Sequence, residues 1–174
     1  MANTFTEFNL TEGQEAERKL LKTFVNVASS GTAEWELIGE GIEESSIEYN
    51  TDTKTSTDIL GQTRTKVNKT EPAQSFEPYT VRGGSKLAFI LWDIYRRNAV
   101  SELTQFKVLV VHEFVGSSTG YAAETQDNCT ITVTSLGGSA YVDMPISISY
   151  SNKKTLGKVT YTGSAPTFTA DSGL

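Results

Sequence analysis

Cysteine and histidine are nearly missing from this chain of 174 residues, with one of each, and proline occurs four times. A lone Cys129 rules out an internal disulfide, and the chain is expected to fold in a reducing compartment. With one histidine and one cysteine, a zinc site would need unusual ligands. No run of about 18 apolar residues occurs, so no helical membrane span is expected. The start, "MANTFTEFNLTEGQEAERK", lacks the basic and apolar segments of a secretory signal. Without that route, the Asn-x-Ser/Thr triplets at Asn9, Asn68 and Asn128 are chance matches. Basic charge is also short: 15 Lys and Arg face 21 Asp and Glu, for a net −6. General affinity for nucleic acid requires a clustered basic surface, and this balance favours solubility or repulsion of phosphate.

Catalytic constellations are missing as well. His112 sits in an apolar stretch beside Glu113, as a core or sheet-edge histidine would. Cys129 alternates with threonines, as a small buried hydrophobe does. "RGGSK" (82–86) lacks the spacing of a phosphate-binding loop, and its glycine pair more simply starts a helix. Glu43 and Glu44 are adjacent and would point to opposite faces of a strand, a poor geometry for shared acid–base work. No enzymatic activity, metal or cofactor is expected.

What the sequence does contain is a period of two. Residues 1–174 suit one domain with a real core. Strands are expected at 22–28, 33–39, 106–115, 128–135, 140–150 and 156–163, separated by turn signals such as Ser29-Ser30-Gly31 and Gly137-Gly138. Such punctuation indicates a mainly β fold, a β-sandwich or partial barrel. One α-helix is expected at about 85–98, where Leu87, Ile90, Leu91, Ile94 and Tyr95 recur at helical spacing. Ser85 can cap its start, and Arg96 and Arg97 suit the negative end of its dipole. Phe89 and Trp92 widen the apolar face, as core in the first instance or as a surface for another subunit. Residues 11–24 are expected as a frayed helix, and the tail 164–174 as mobile or docked elsewhere.

The stretch 45–70 differs from the rest. Ile47, Tyr49, Thr51, Thr53, Thr55, Thr57 and Ile59 alternate with Glu48, Asn50, Asp52, Lys54, Ser56 and Asp58. Alternation places these sets on opposite faces of a ribbon, one of threonine with apolar ends and one polar and mostly acidic. A second arm follows through Thr63, Arg64, Thr65, Lys66 and Val67, with the turn at 50–52 or at 60–62. Under the second choice each arm has about ten residues and reaches about 33 Å. So polar a ribbon is marginal alone in water, and its free edges invite other chains. Acids dominate residues 40–60 and bases residues 61–86, so opposite charge would guide one copy onto the next.

A strand before "WELIGEG" (35–41), a Thr-rich ribbon with "DILG" (58–61), "EPAQSFEPY" (71–79), a helix from Ser85 and a closing "GKVTYTG" (157–163) follow in order. In that order the chain resembles a tail tube protein (major tail protein) of long-tailed bacteriophages. The resemblance implies a β-sandwich with a flanking helix, six copies in a ring whose inward strands join into one barrel, and rings stacked into a hollow tube with help from a long loop. It implies a tube around the tape measure protein, contacts with tail terminator and baseplate proteins, and passage of DNA without specific binding. It places the chain in the virion tail, assembled in the bacterial host cytoplasm. The ribbon becomes the assembly element, with Ile47, Tyr49, Thr51, Thr53, Thr55, Thr57, Ile59, Gly61, Arg64 and Lys66 between subunits. Glu44, Glu48, Asp52 and Asp58 become candidates for an acidic lining that repels phosphate. The tube of a phage-like bacteriocin is a close variant. The alternative of another class is a glycan- or surface-binding β-sandwich that uses Trp35 or the aromatics of 141–150 as a platform.

Overall fold

Threonine-rich alternation becomes strand and the one segment with helical spacing becomes helix in the computed structural model, which describes residues 5–171. The strands are β1 (Leu21–Asn26), β2 (Trp35–Ile38), β3 (Ile47–Glu48), β4 (Asp52–Thr57), β5 (Thr63–Lys69), β6 (Ala73–Phe76), β7 (Phe106–Ser117), β8 (Gly120–Val133), β9 (Ile146–Ser149), β10 (Lys154–Thr162) and β11 (Ala165–Ala170), with α1 at Lys86–Arg97. Nine strands form one sheet in the order β2-β1-β7-β8-β9-β6-β3, with β10 and β11 branching from β8. The sheet curls into a half-barrel, and β4 and β5 form a second, separate sheet. The mainly β expectation with one helix therefore holds.

β8 makes the branch. Its first half, from Tyr121 to Gln126, lies between β7 and β10, and its second half, from Thr130 to Val133, pairs with β9. Asn128 sits between the halves with φ of 56°, a left-handed conformation that asparagine tolerates. The ladder with β7 is irregular around Phe106–Val108, opposite this kink.

From Val108 to Val111 β7 is apolar and fully buried, because it is covered on both sides. Val108 and Val110 join the main core, while Leu109 and Val111 join a smaller cluster with Phe24, Ala123 and Val159. The main core also takes Leu87, Ala88, Leu91 and Ile94 from α1, against Val25, Phe76, Ile131, Met144, Ile146 and Ile148. Each fully buried Leu or Ile here contributes about 2 kcal/mol. Ser85 caps the helix by accepting from the Ala88 amide at 3.2 Å. Asn98 ends it with φ of 55°.

Four expectations change. The helix foreseen near the start is only a 3-10 turn at Arg18–Leu20. Of the stretch 140–150, Ile146–Ser149 forms a strand, and the preceding residues pair only through isolated bridges from Asp143 to Thr80 and Gly137. Phe89 and Trp92 are not core: they are 64% and 39% exposed. The tail from 164, expected as mobile or docked elsewhere, is instead part of the sheet: β11 pairs along β10 from Gly157↔Ala170 to Thr162↔Ala165. Pro166 is buried and Phe168 packs on the smaller cluster, so a burial pattern of period two holds this segment. Residues 172–174 of that tail lie outside the described residues.

Candidate functional site

β3 is the last strand of the large sheet and pairs with β6 through Ile47↔Gln74 and Glu48↔Ala73. The chain between them, β4 and β5, is the outward continuation of that ladder. Its root is clamped by the Glu71 amide donating to the Tyr49 carbonyl at 3.0 Å. Asn50 Nδ2 donates to the Glu71 carbonyl at 3.1 Å, and Asn152 Nδ2 to the Thr70 carbonyl at 2.7 Å. Beneath the root lies a buried polar knot. Gln74, 1% exposed, accepts from Thr23 Oγ1 at 3.0 Å and from the Tyr150 hydroxyl at 2.7 Å, and its Nε2 donates to Ser45 Oγ at 3.1 Å. Ser45 Oγ in turn donates to the Ser75 carbonyl at 2.7 Å. Burial pushes the Tyr150 hydroxyl far above its usual pKa, so it stays a donor. The hairpin therefore stands on a fixed base.

Beyond the root every residue of β4 and β5 is exposed. Threonines line one face: Thr55 and Thr65 share a hydroxyl hydrogen bond at 3.1 Å, as do Thr57 and Thr63 at 3.2 Å, and Thr53 faces Val67. Such cross-strand pairs are the stabilising unit of a ribbon. The opposite face carries Lys54 across from Lys66 and Ser56 across from Arg64. It is basic, where the alternation of the first arm alone read as mostly acidic. The difference comes from register: the second arm supplies Arg64 and Lys66 to the face that Lys54 occupies, while Asp52 lies beyond an irregularity and accepts from Asn68 Nδ2 at 3.1 Å.

The turn is at the second of the two expected places. Asp58 Oδ1 accepts from the amides of Leu60 at 2.9 Å and Gln62 at 3.0 Å, and its own amide donates to the Gln62 carbonyl at 3.0 Å. Gly61 supplies the positive φ of 78°. This turn holds Ile59 fully in solvent and Leu60 79% exposed. The arms have six and seven strand residues, shorter than the ten foreseen, for a reach of about 20 Å.

No protein-family model matches the chain, and no curated protein does. Solved structures do share the fold. The sheath/tube terminator of an extracellular contractile injection system (PVC), in its extended state, is similar with a TM-score of 0.53 at 12% identity, over 84% of this chain and 99% of its own. The tube-terminating cap of the anti-feeding prophage is similar with a TM-score of 0.52 at 13% identity, over 91% of this chain and 99% of its own. At such identities the likeness is one of fold.

The predicted site residues are thus dispersed. Ile47 belongs to β3 and packs half-buried against the main core, so it is part of the body. Thr51 lies between β3 and β4, and Tyr49 is exposed at the root. Thr53, Thr55, Thr57, Arg64 and Lys66 lie on the hairpin, and Ile59 and Gly61 at its tip. Glu44 and Glu48 are exposed on the edge at β3, apart from Asp52 and Asp58, which are tied to Asn68 and to the turn.

Sequence reasoning missed Gln74, Ser45 and Glu36. A glutamine in the buried pattern of "AQSF" is the trace that the first left. Glu36 of β2 bridges to the helix: it accepts from Ser85 Oγ at 2.6 Å and from the amides of Lys86 at 2.9 Å and Leu87 at 3.0 Å.

Proposed function

We propose that the chain is a structural subunit of a phage-tail-like tube, with no chemistry of its own. Copies join edge to edge, the half-barrels completing a closed barrel around a lumen, and the hairpin reaches a neighbouring copy. Six copies per ring, stacked rings around a tape measure protein, and passage of DNA without binding follow from the resemblance to tail tube proteins. Assembly takes place in the bacterial host and ends in the tail of the particle.

One observation carries this reading: β4 and β5 pair with each other and with no other strand among the described residues, and all their residues are exposed. A two-stranded ribbon is marginal in water, and its outer edges present unpaired amides and carbonyls. A further strand from another copy satisfies them. The half-barrel adds the same need, since closure removes its edges.

The test is assembly of the purified chain. Negative-stain microscopy and light scattering should show rings or tubes for the wild type. A variant with residues 52–69 replaced by a short Gly-Ser link should remain a folded monomer, because the Tyr49–Glu71 clamp already holds the two ends together. Tubes from that variant would sink the assignment of the hairpin.

A second position along the tube is its end. The two similar structures are named as a sheath/tube terminator and a terminating cap, and nearly their whole length is spanned. A terminator makes a ring that stops. Open-ended tubes of the pure chain favour the tube subunit, and single rings that bind one end of a preformed tube favour the terminator.

A further inference from the structure

The hairpin is basic on a chain that is acidic. Residues 52–69 hold four bases, Lys54, Arg64, Lys66 and Lys69, against Asp52 and Asp58, while the whole chain is −6. Lys69 is satisfied by Glu71 at 2.6 Å. Lys54, Arg64 and Lys66 lie on one exposed face, Lys54 directly across from Lys66, and none of the three has an ion pair among the described residues. Like charges directly opposite one another destabilise a ladder. Held on a two-stranded ribbon, they describe a surface built to meet negative charge.

The same chain displays that charge elsewhere. Residues 40–48 contain Glu40, Glu43, Glu44 and Glu48 and no base. Glu40 is taken by Arg82. Glu43, Glu44 and Glu48 are exposed along the loop into β3, the free edge of the large sheet, and no ion pair neutralises them among the described residues. The two charged surfaces do not satisfy each other within one copy. No ion pair joins Glu43, Glu44 or Glu48 to Lys54, Arg64 or Lys66 among the described residues.

Resting on the reading of the chain as a self-assembling subunit, we infer that the Lys54–Arg64–Lys66 face of one copy's hairpin docks on the Glu43–Glu44–Glu48 edge of the next copy. The contact is head-to-tail, because donor and receiver are different surfaces of the same chain. Such contacts propagate into closed rings or open filaments and do not stop at a dimer. Complementary charge of this kind sets orientation and register and speeds encounter more than it adds affinity. The threonine face of the hairpin is then left for a different neighbour or for solvent.

A charge swap tests it on the full chain at about 0.15 M salt, the physiological ionic strength. The variants are K54E/R64E/K66E, E43K/E44K/E48K and the chain with all six changes, each checked for folding by circular dichroism. The wild type should assemble. Each triple variant alone should stay monomeric in light scattering, because it sets like charge against like. An equimolar mixture of the two should assemble in alternation, and so should the chain with six changes. Zero-length carbodiimide cross-links of the wild-type assembly should join Lys54 or Lys66 of one copy to Glu43, Glu44 or Glu48 of another. Wild-type assembly that persists unchanged in either triple variant overturns the docking and leaves the tube reading standing. A mixture of folded variants that stays monomeric overturns it too. Wild-type monomers at every concentration overturn both readings. Tight binding of a DNA duplex by the wild type, lost in K54E/R64E/K66E, overturns the docking by assigning the face to phosphate.

Discussion

Ser85 Oγ donates to Glu36 Oε1 at 2.6 Å while accepting from the Ala88 amide at 3.2 Å. The hydroxyl that caps α1 is thereby anchored to β2, and the second carboxylate oxygen takes the amides of Lys86 and Leu87. A carboxylate at a helix N-terminus satisfies orphan donors and complements the dipole. This joins the helix to the edge of the sheet.

Loss of that anchor should cost stability. Glu36→Leu should destabilise by about 2 kcal/mol and Ser85→Ala by about 1 kcal/mol. The double variant should cost less than the two together, since both substitutions break the same cap. Urea unfolding of the four chains checks this, and strict additivity would separate the two residues.

Gln74 should be among the costliest polar positions. Gln74→Leu leaves the Thr23 and Tyr150 hydroxyls without their acceptor in a buried site and takes one of its two partners from Ser45 Oγ. The expected loss is about 3 kcal/mol. Thermal unfolding should show it as a lower midpoint, and a loss within 0–1 kcal/mol, roughly the worth of one exposed pair, would mean that the knot does not hold the root.

His112 should make the fold acid-sensitive. Its ring is half-buried in β7 and meets Phe114 edge-on at 5.6 Å. Burial is the first cause of a pKa below the usual 6.5. Glu124 opposes the shift and Lys154 adds to it. The imidazole is neutral in the fold and takes up a proton more readily when unfolded, so stability falls as pH drops through 6.5 toward the depressed value. The slope for one proton is at most about 1.4 kcal/mol per pH unit. Denaturation midpoints between pH 7.5 and 5 should show it, and His112→Asn should flatten that part of the profile.

Asp58 should matter to the tip and not to the body. Asp58→Ala removes the acceptor of the Leu60 and Gln62 amides and should speed exchange of both, while Asp58→Asn keeps an acceptor oxygen and should behave nearly as wild type. Because β4 and β5 are wholly exposed, global stability should shift by about 0.5 kcal/mol or less. Amide exchange by nuclear magnetic resonance reads the first effect and urea unfolding the second.

Local pattern was enough for much of this molecule. Alternation located the core strands to within a few residues at β1, β2, β7 and β10, and Ser85 and Asn98 bracket the helix because capping is a local interaction. The ribbon was visible as threonines with a two-residue period. Three other facts depended on distant residues meeting. The basic face of the hairpin exists because register sets Lys54 across from Lys66. The docking of β11 exists because β10 presents Val159 to Phe168. The polar knot exists because Thr23, Ser45, Gln74 and Tyr150, far apart in the chain, are buried together. Periodicity states which side chains share a face of their own strand. Only the folded chain states which other strand lies across from it, and that partner decides charge, burial and hydrogen bonding.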